Sequence, residues 1–84
     1  MNLIDLIDLK ELLSMLKISR SAVYLKIKQG LWPKAIKISS RTSRWFRHEA
    51  EEMIRVMASG ADPDQIKQKV KQIHESRNLD SSFP

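Results

Sequence analysis

Apolar positions along the chain fall into helical registers separated by one short alternating stretch. Leu9, Leu12, Leu13 and Leu16 recur at i, i+3, i+4 and i+7 with Lys10, Glu11 and Ser14 on the other side, which predicts a first helix over Leu9–Leu16. Asp8 is a natural N-cap, and Glu11 three residues on completes a capping-box pattern. A second start follows at once: Ser19 precedes the helix formers Arg20 to Gln29, and Gly30 supplies the stop. Ile18, Val23 and Ile27 mark its buried side, while Arg20, Ser21, Tyr24 and Lys28 lie largely on other faces. Two helices are thus joined by about three residues.

Leu31-Trp32-Pro33 breaks the helical pattern, and Ala35–Ser39 then alternates, with Ile36 and Ile38 on one face and Lys37 on the other. Ser40–Ser43 reads as a polar turn without Gly or Asn, and Arg44–Phe46 as the return strand of a small, wing-sized hairpin. Ala50, Met53, Ile54 and Met57 restore the helical period, predicting a helix over Arg47–Ala58 that ends at Gly60. Asp62-Pro63-Asp64-Gln65 opens a last helix, with the acid as N-cap, proline at the first helical position and glutamine reaching back. Its apolar stripe, Ile66, Val70 and Ile73, is narrow and is set among Lys67, Lys69 and Lys71. Such a stripe either docks on its own domain or pairs with a second copy as a homodimer. Residues Asn78–Pro84 read as a frayed tail, and residues 1–7 as a lead-in whose Leu3, Ile4, Leu6 and Ile7 fit a strand or a short arm equally.

The predicted fold class is mainly α with a small β-hairpin: a winged helix–turn–helix plus an additional C-terminal helix. We divide the chain into a DNA-binding domain over 1–58, a docking or dimerisation helix over 59–78 and a disordered tail over 79–84. With 84 residues, 42% of them hydrophobic and 30% charged, the chain suits one packed module. Cys is absent, which removes disulfides, thiolate nucleophiles and cysteine-ligated metal. No apolar run approaches a membrane span, and the acidic N-terminal stretch is unlike a signal peptide, so a soluble, intracellular protein is expected.

Charge changes the picture. The net +5 divides into −2 over residues 1–16, +9 over residues 17–48, and −2 over residues 49–84. The middle segment holds Lys17, Arg20, Lys26, Lys28, Lys34, Lys37, Arg41, Arg44 and Arg47 and no acid. A polyanion is the economical partner, since basic side chains release counterions from phosphates. A solvated basic face is the plainer alternative.

Catalysis has little to stand on. His48 and His74 stand 26 positions apart with no metal-binding spacing around them. Glu49, Glu51 and Glu52 lie in the first turns of a helix, where acids favour the positive end of its dipole. Two glycines leave no room for phosphate-cradling loops. No enzymatic activity, cofactor or metal is expected.

The tight helix–turn–helix with a basic, hydroxyl-rich second helix fits a major groove, N-terminal end first. Arg20 near that end suits bidentate pairing with guanine O6 and N7, or a phosphate contact. Tyr24 is either a half-buried aromatic or a DNA contact. Lys28, Lys37, Arg41 and Arg44 suit backbone phosphates, the two arginines beside the hydroxyls of the hairpin tip. Trp32 and Trp45 are core residues rather than stacking platforms.

The stretch Ile18-Ser19-Arg20-Ser21-Ala22-Val23-Tyr24 and Ile27-Lys28-Gln29-Gly30, followed by Trp32-Pro33-Lys34, Ile36-Lys37 and Arg41 to Trp45, resembles the AlpA family of small prophage-encoded regulators. These are winged-helix proteins related to the MerR DNA-binding domain and to phage excisionases. The resemblance covers residues 8–57. It implies that Ser19, Arg20, Ser21 and Tyr24 form the DNA-facing edge of the second helix, that Arg41 and Arg44 belong to the wing, and that Trp45 packs in the core. Ala35, Ser39 and the pair Leu25-Lys26 depart from the family's pattern, and residues 59–84 have no counterpart in it. The role implied is a sequence-specific, double-stranded DNA-binding transcriptional regulator of a prophage or mobile element, with a phage integrase or RNA polymerase as further partner. One alternative is an excisionase-like directionality factor that bends attachment-site DNA; another, of a different class, is a module binding an acidic protein.

Overall fold

The computed structural model describes residues 5–80, with side chains through Asn78. A two-residue strand β1 (Leu6–Ile7) leads into helix α1 (Leu9–Leu16), and α2 (Arg20–Lys28) follows after a three-residue turn. Strands β2 (Ile36–Ser39) and β3 (Thr42–Phe46) form the hairpin, and helices α3 (Arg47–Ala58) and α4 (Pro63–Asp80) complete the chain. The fold is mainly α with a small hairpin, in the element order of a winged helix–turn–helix with an added helix, as the sequence predicts.

Local chemistry sets the boundaries. The Asp8 carboxylate accepts the Glu11 N–H at 2.8 Å, and the Ser19 hydroxyl accepts the Ala22 N–H at 3.2 Å, starting α1 and α2 where the caps predict. Glu11 does not complete a reciprocal box; its carboxylate pairs with Arg47 instead, at 3.0 Å. At α4 the box is reciprocal: the Asp62 N–H donates to the Gln65 side chain at 2.9 Å, and the Gln65 N–H donates to Asp62 at 2.8 Å. The predicted spans of α1 and α3 match those observed. Helix α4 continues to Asp80, so Asn78 belongs to a helix and not to the tail expected from that position; Leu3 and Ile4 of the lead-in and residues 81–84 lie outside the described residues.

Two corrections concern the sheet. Of the two readings of the lead-in, Leu6–Ile7 takes the strand: it pairs antiparallel with β3, Leu6 opposite Phe46 and Ile7 opposite Trp45, giving the order β1-β3-β2. The hairpin is tighter than predicted. Its turn is Ser40–Arg41 alone, and Thr42 and Ser43 are strand residues opposite Ser39 and Lys37. The register shifts between Lys37 and Ser39, so Ile38 does not share the environment of Ile36; it stands 55% exposed.

Ile7, Leu12, Val23, Trp32, Trp45, Ala50 and Met53 form one core, and Val70 and Ile73 of α4 join it. Both tryptophans are buried as expected, and Trp45 Nε1 donates to the Pro33 carbonyl at 3.1 Å. The stripe of α4 therefore docks on its own domain. Val70 and Ile73, each 4% exposed, with Ile66 packed beside them, are not available to a second copy.

Candidate nucleic-acid interface

Helix α2 presents two unlike sides. Val23 is fully buried and Ile27 partly so, whereas Arg20, Ser21, Tyr24, Leu25 and Lys28 are all exposed, Tyr24 at 45%. The positions 20, 21, 24, 25 and 28 are i, i+1, i+4, i+5 and i+8 and form one continuous helical face. Ser19 stands at its start with its oxygen already accepting the Ala22 N–H, which leaves the hydroxyl proton available to a second partner.

The hairpin supplies a second set of donors. Arg41 is exposed in the turn. Lys37 Nζ donates across the hairpin to the Ser43 hydroxyl at 3.1 Å, and Arg44 Nη1 donates to the Ser43 carbonyl at 2.8 Å, so both cations are braced on the strand pair. A groove of about 290 Å³ brings the two sets together: Tyr24 of α2 meets Arg41, Ser43 and Arg44 of the hairpin, with Asp8 and Lys10 at the start of α1 closing one side. Its two arginines and a lysine outweigh the one carboxylate, which is itself engaged in the α1 cap. Arg20, Ser21, Lys28 and Lys37 do not line this groove; they extend the basic surface outside it. A larger, open groove of about 460 Å³ between α3 and α4 is lined by Asp62, Asp64, three glutamines and one cation, Lys69, which is already paired with Glu52 at 3.2 Å, so it offers an anion no comparable set of free cations.

Among the described residues, Arg47 alone of the nine cations in 17–48 forms an ion pair with an acid. Its guanidinium contacts Asp5 at 2.8 Å and Glu11 at 3.0 Å, and the Arg47 backbone N–H donates to the Asp5 carbonyl. The hydrogen bonds that it donates to Asp5 and then to Glu11 raise its pKa further, and it stays charged at every working pH. Arg47 thus ties the N-terminal strand to the start of α3 and does not belong to the interface.

Sequence reasoning missed three features. Leu25 faces solvent at 54% exposure, and its one visible signal is the i+4 spacing from Ser21. Ile38 is turned out by a register shift that carries no sequence mark. Glu49 lies in the first turn of α3 as expected, but it is also buried and receives Arg77 of α4 at 2.6 Å. The same arginine donates to the Lys34 carbonyl at 2.8 Å, and the Lys34 N–H donates to His74 Nε2 at 3.1 Å, so α4 holds the loop between α2 and β2 through both backbone polar groups of one residue.

No three His, Asp or Glu side chains among the described residues stand as a metal-holding group, and no helix among them is long and apolar enough to cross a membrane. A family model described as prophage CP4-57 regulatory protein (AlpA) matches residues 5–56, the segment from β1 into α3 that carries α2 and the hairpin. No curated protein and no solved structure matches the chain.

Proposed function

Because the chain belongs to the AlpA family of prophage regulatory proteins, we propose that it binds double-stranded DNA sequence-specifically and regulates transcription on a prophage or mobile element, for example of an integrase gene. The observation that carries this reading is the groove in which Tyr24 of α2 meets Arg41 and Arg44 of the hairpin, continuous with the basic face of α2. Helix α2 enters the major groove N-terminal end first. Arg20 pairs with guanine O6 and N7, Ser19, Ser21 and Tyr24 read or brace the neighbouring positions, and Lys28, Lys37, Arg41 and Arg44 hold phosphates on either side.

The work is non-covalent, so the protein is not an enzyme and acts in the bacterial cytoplasm at the nucleoid. RNA polymerase or a phage integrase is the protein partner this role implies. One module of this size covers about one half-site, and a second copy on the same operator meets the first through a surface other than Ile66, Val70 and Ile73.

The test compares a duplex selected from the surrounding genomic DNA with a random duplex, across a salt series, for wild type and Arg20→Ala. The substitution is expected to reduce discrimination between the two by about 10-fold, the share of one bidentate base contact, with far less change on random DNA. Absence of salt-dependent binding to any duplex contradicts the reading and assigns the basic face to an acidic protein.

A directionality factor that bends attachment-site DNA is favoured by one observation, the exposed Ile38 on the hairpin, because apolar side chains of this kind wedge into base steps and kink the duplex. Phased-site electrophoresis separates the two roles. A bend lost in Ile38→Ser, together with stimulated excision by the cognate integrase, supports the factor; a straight duplex supports the regulator.

A further inference from the structure

We propose that Leu25 is a specificity residue of the DNA interface and reads the 5-methyl group of a thymine in the major groove. The inference rests on the DNA-binding reading above and adds which base α2 selects. Leu25 is 54% exposed and stands outside the core cluster, whereas Val23, two residues earlier, is fully buried. The side chain therefore contributes little to the packing that holds α2 in place. A solitary exposed leucine has no particular meaning on most surfaces. Here it lies one turn beyond Ser21 and one turn before Lys28, on the face that also carries Arg20 and Tyr24.

Base-pair edges in the major groove carry donors, acceptors and one apolar group, the thymine methyl. Leu25 against that methyl removes apolar area from water on both partners. Against a G·C pair it covers acceptors and a donor without pairing them, which is unfavourable. The same side chain thus favours thymine and disfavours G·C. Along the helix Leu25 lies about 6 Å beyond Ser21, which places the thymine within about two base pairs of the position that Ser21 faces.

The test uses the full chain and a duplex recovered by binding selection from a randomised library, with each thymine replaced in turn by deoxyuridine. That exchange deletes the methyl group and keeps the base pair and the phosphate. Wild type is expected to lose about fourfold in affinity at one thymine, the effect of one buried methyl-sized group. Leu25→Ala loses a similar amount on the parent duplex and no longer distinguishes thymine from deoxyuridine there. Leu25→Lys shows the same indifference and binds random DNA more tightly with a steeper salt dependence. Because Leu25 is exposed, both variants keep the fold, which circular dichroism checks. If every deoxyuridine duplex binds wild type as tightly as the parent duplex, or if Leu25→Ala keeps the full penalty while Arg20→Ala still reduces discrimination, the role of Leu25 is refuted and the DNA-binding reading stands. If no duplex is enriched over random sequence, both are refuted.

Discussion

Lys17 ends α1 with φ at +58°, in the left-handed region, where its N–H donates to the Leu13 carbonyl at 2.8 Å. Glycine adopts this cap without a Cβ penalty, and at the ends of α2 and α3 Gly30 and Gly60 do so, with φ of +77° and +85°. Lysine in this position strains the very turn that sets α1 against α2. Lys17→Gly is expected to raise stability by about 0.5–1 kcal/mol, the left-handed penalty less the extra freedom of an unfolded glycine. Urea unfolding checks it as a higher midpoint at unchanged slope. The residue scale also divides the cations by role. Arg47 is spent on Asp5 and Glu11, while Arg20, Arg41 and Lys28 are exposed and form no ion pair with an acid among the described residues.

At the scale of elements, α4 acts as a clamp. Its Val70 and Ile73 enter the core, Arg77 meets buried Glu49 of α3, and Arg77 and His74 hold the backbone C=O and N–H of Lys34 between α2 and β2. Arg77→Ala leaves Glu49 buried without its counter-charge and is expected to cost about 3–5 kcal/mol in chemical unfolding; Glu49→Leu combined with Arg77→Met recovers much of that loss. His74 accepts a hydrogen bond at Nε2 and so must be neutral there. Burial first, then the charges of Arg77 and Lys34, lower its pKa, while Glu49 opposes them. The unfolded chain, with an ordinary histidine near about 6.5, then binds the proton more readily than the folded one. The stability that His74 contributes is therefore complete above about pH 6.5 and is lost as pH falls through its lowered folded value. Between pH 7.5 and 5.5 the urea midpoint of wild type is expected to fall, and that of His74→Gln, which keeps an acceptor without a titration, to stay nearly level. An equal fall in both contradicts the role given to His74.

Elements differ in how far the sequence discloses them, for physical reasons. Helices α1, α2 and α4 are legible because their caps are local: Asp8, Ser19 and the Asp62 and Gln65 pair each act over three residues, while α3, whose first turn has no side-chain cap, is legible from its apolar spacing alone. Strand β1 exists only through its pairing with β3, about 40 residues away, and two apolar residues alone do not distinguish a strand from an arm. The hairpin lacks a glycine or asparagine to fix its turn, so Thr42 and Ser43 pass for turn residues and the register shift that exposes Ile38 leaves no trace. At the candidate interface the exposed cations of α2 and the hairpin are legible from charge and helical spacing. The pairings that exclude Arg47 from it, with Asp5 and Glu11, and that bury Glu49 against Arg77, span 28 to 42 residues and emerge only in the fold.

For the molecule as a whole, the exposed cations of α2 and the hairpin come together because Tyr24 meets Arg41 and Arg44 at a shared groove, while acids of the flanking segments are partly engaged in holding the fold. The separation between a DNA-reading front and a clamping α4 is the central claim, and one titration tests it most directly. Amide chemical shifts of the isotope-labelled protein are followed as a selected duplex is added. The expected result is large shifts over residues 19–28 and 40–44, with α4 from Pro63 to Asn78 nearly unmoved. Shifts concentrated on the exposed lysines of α4, Lys67 and Lys71, with α2 and the hairpin silent, would contradict it.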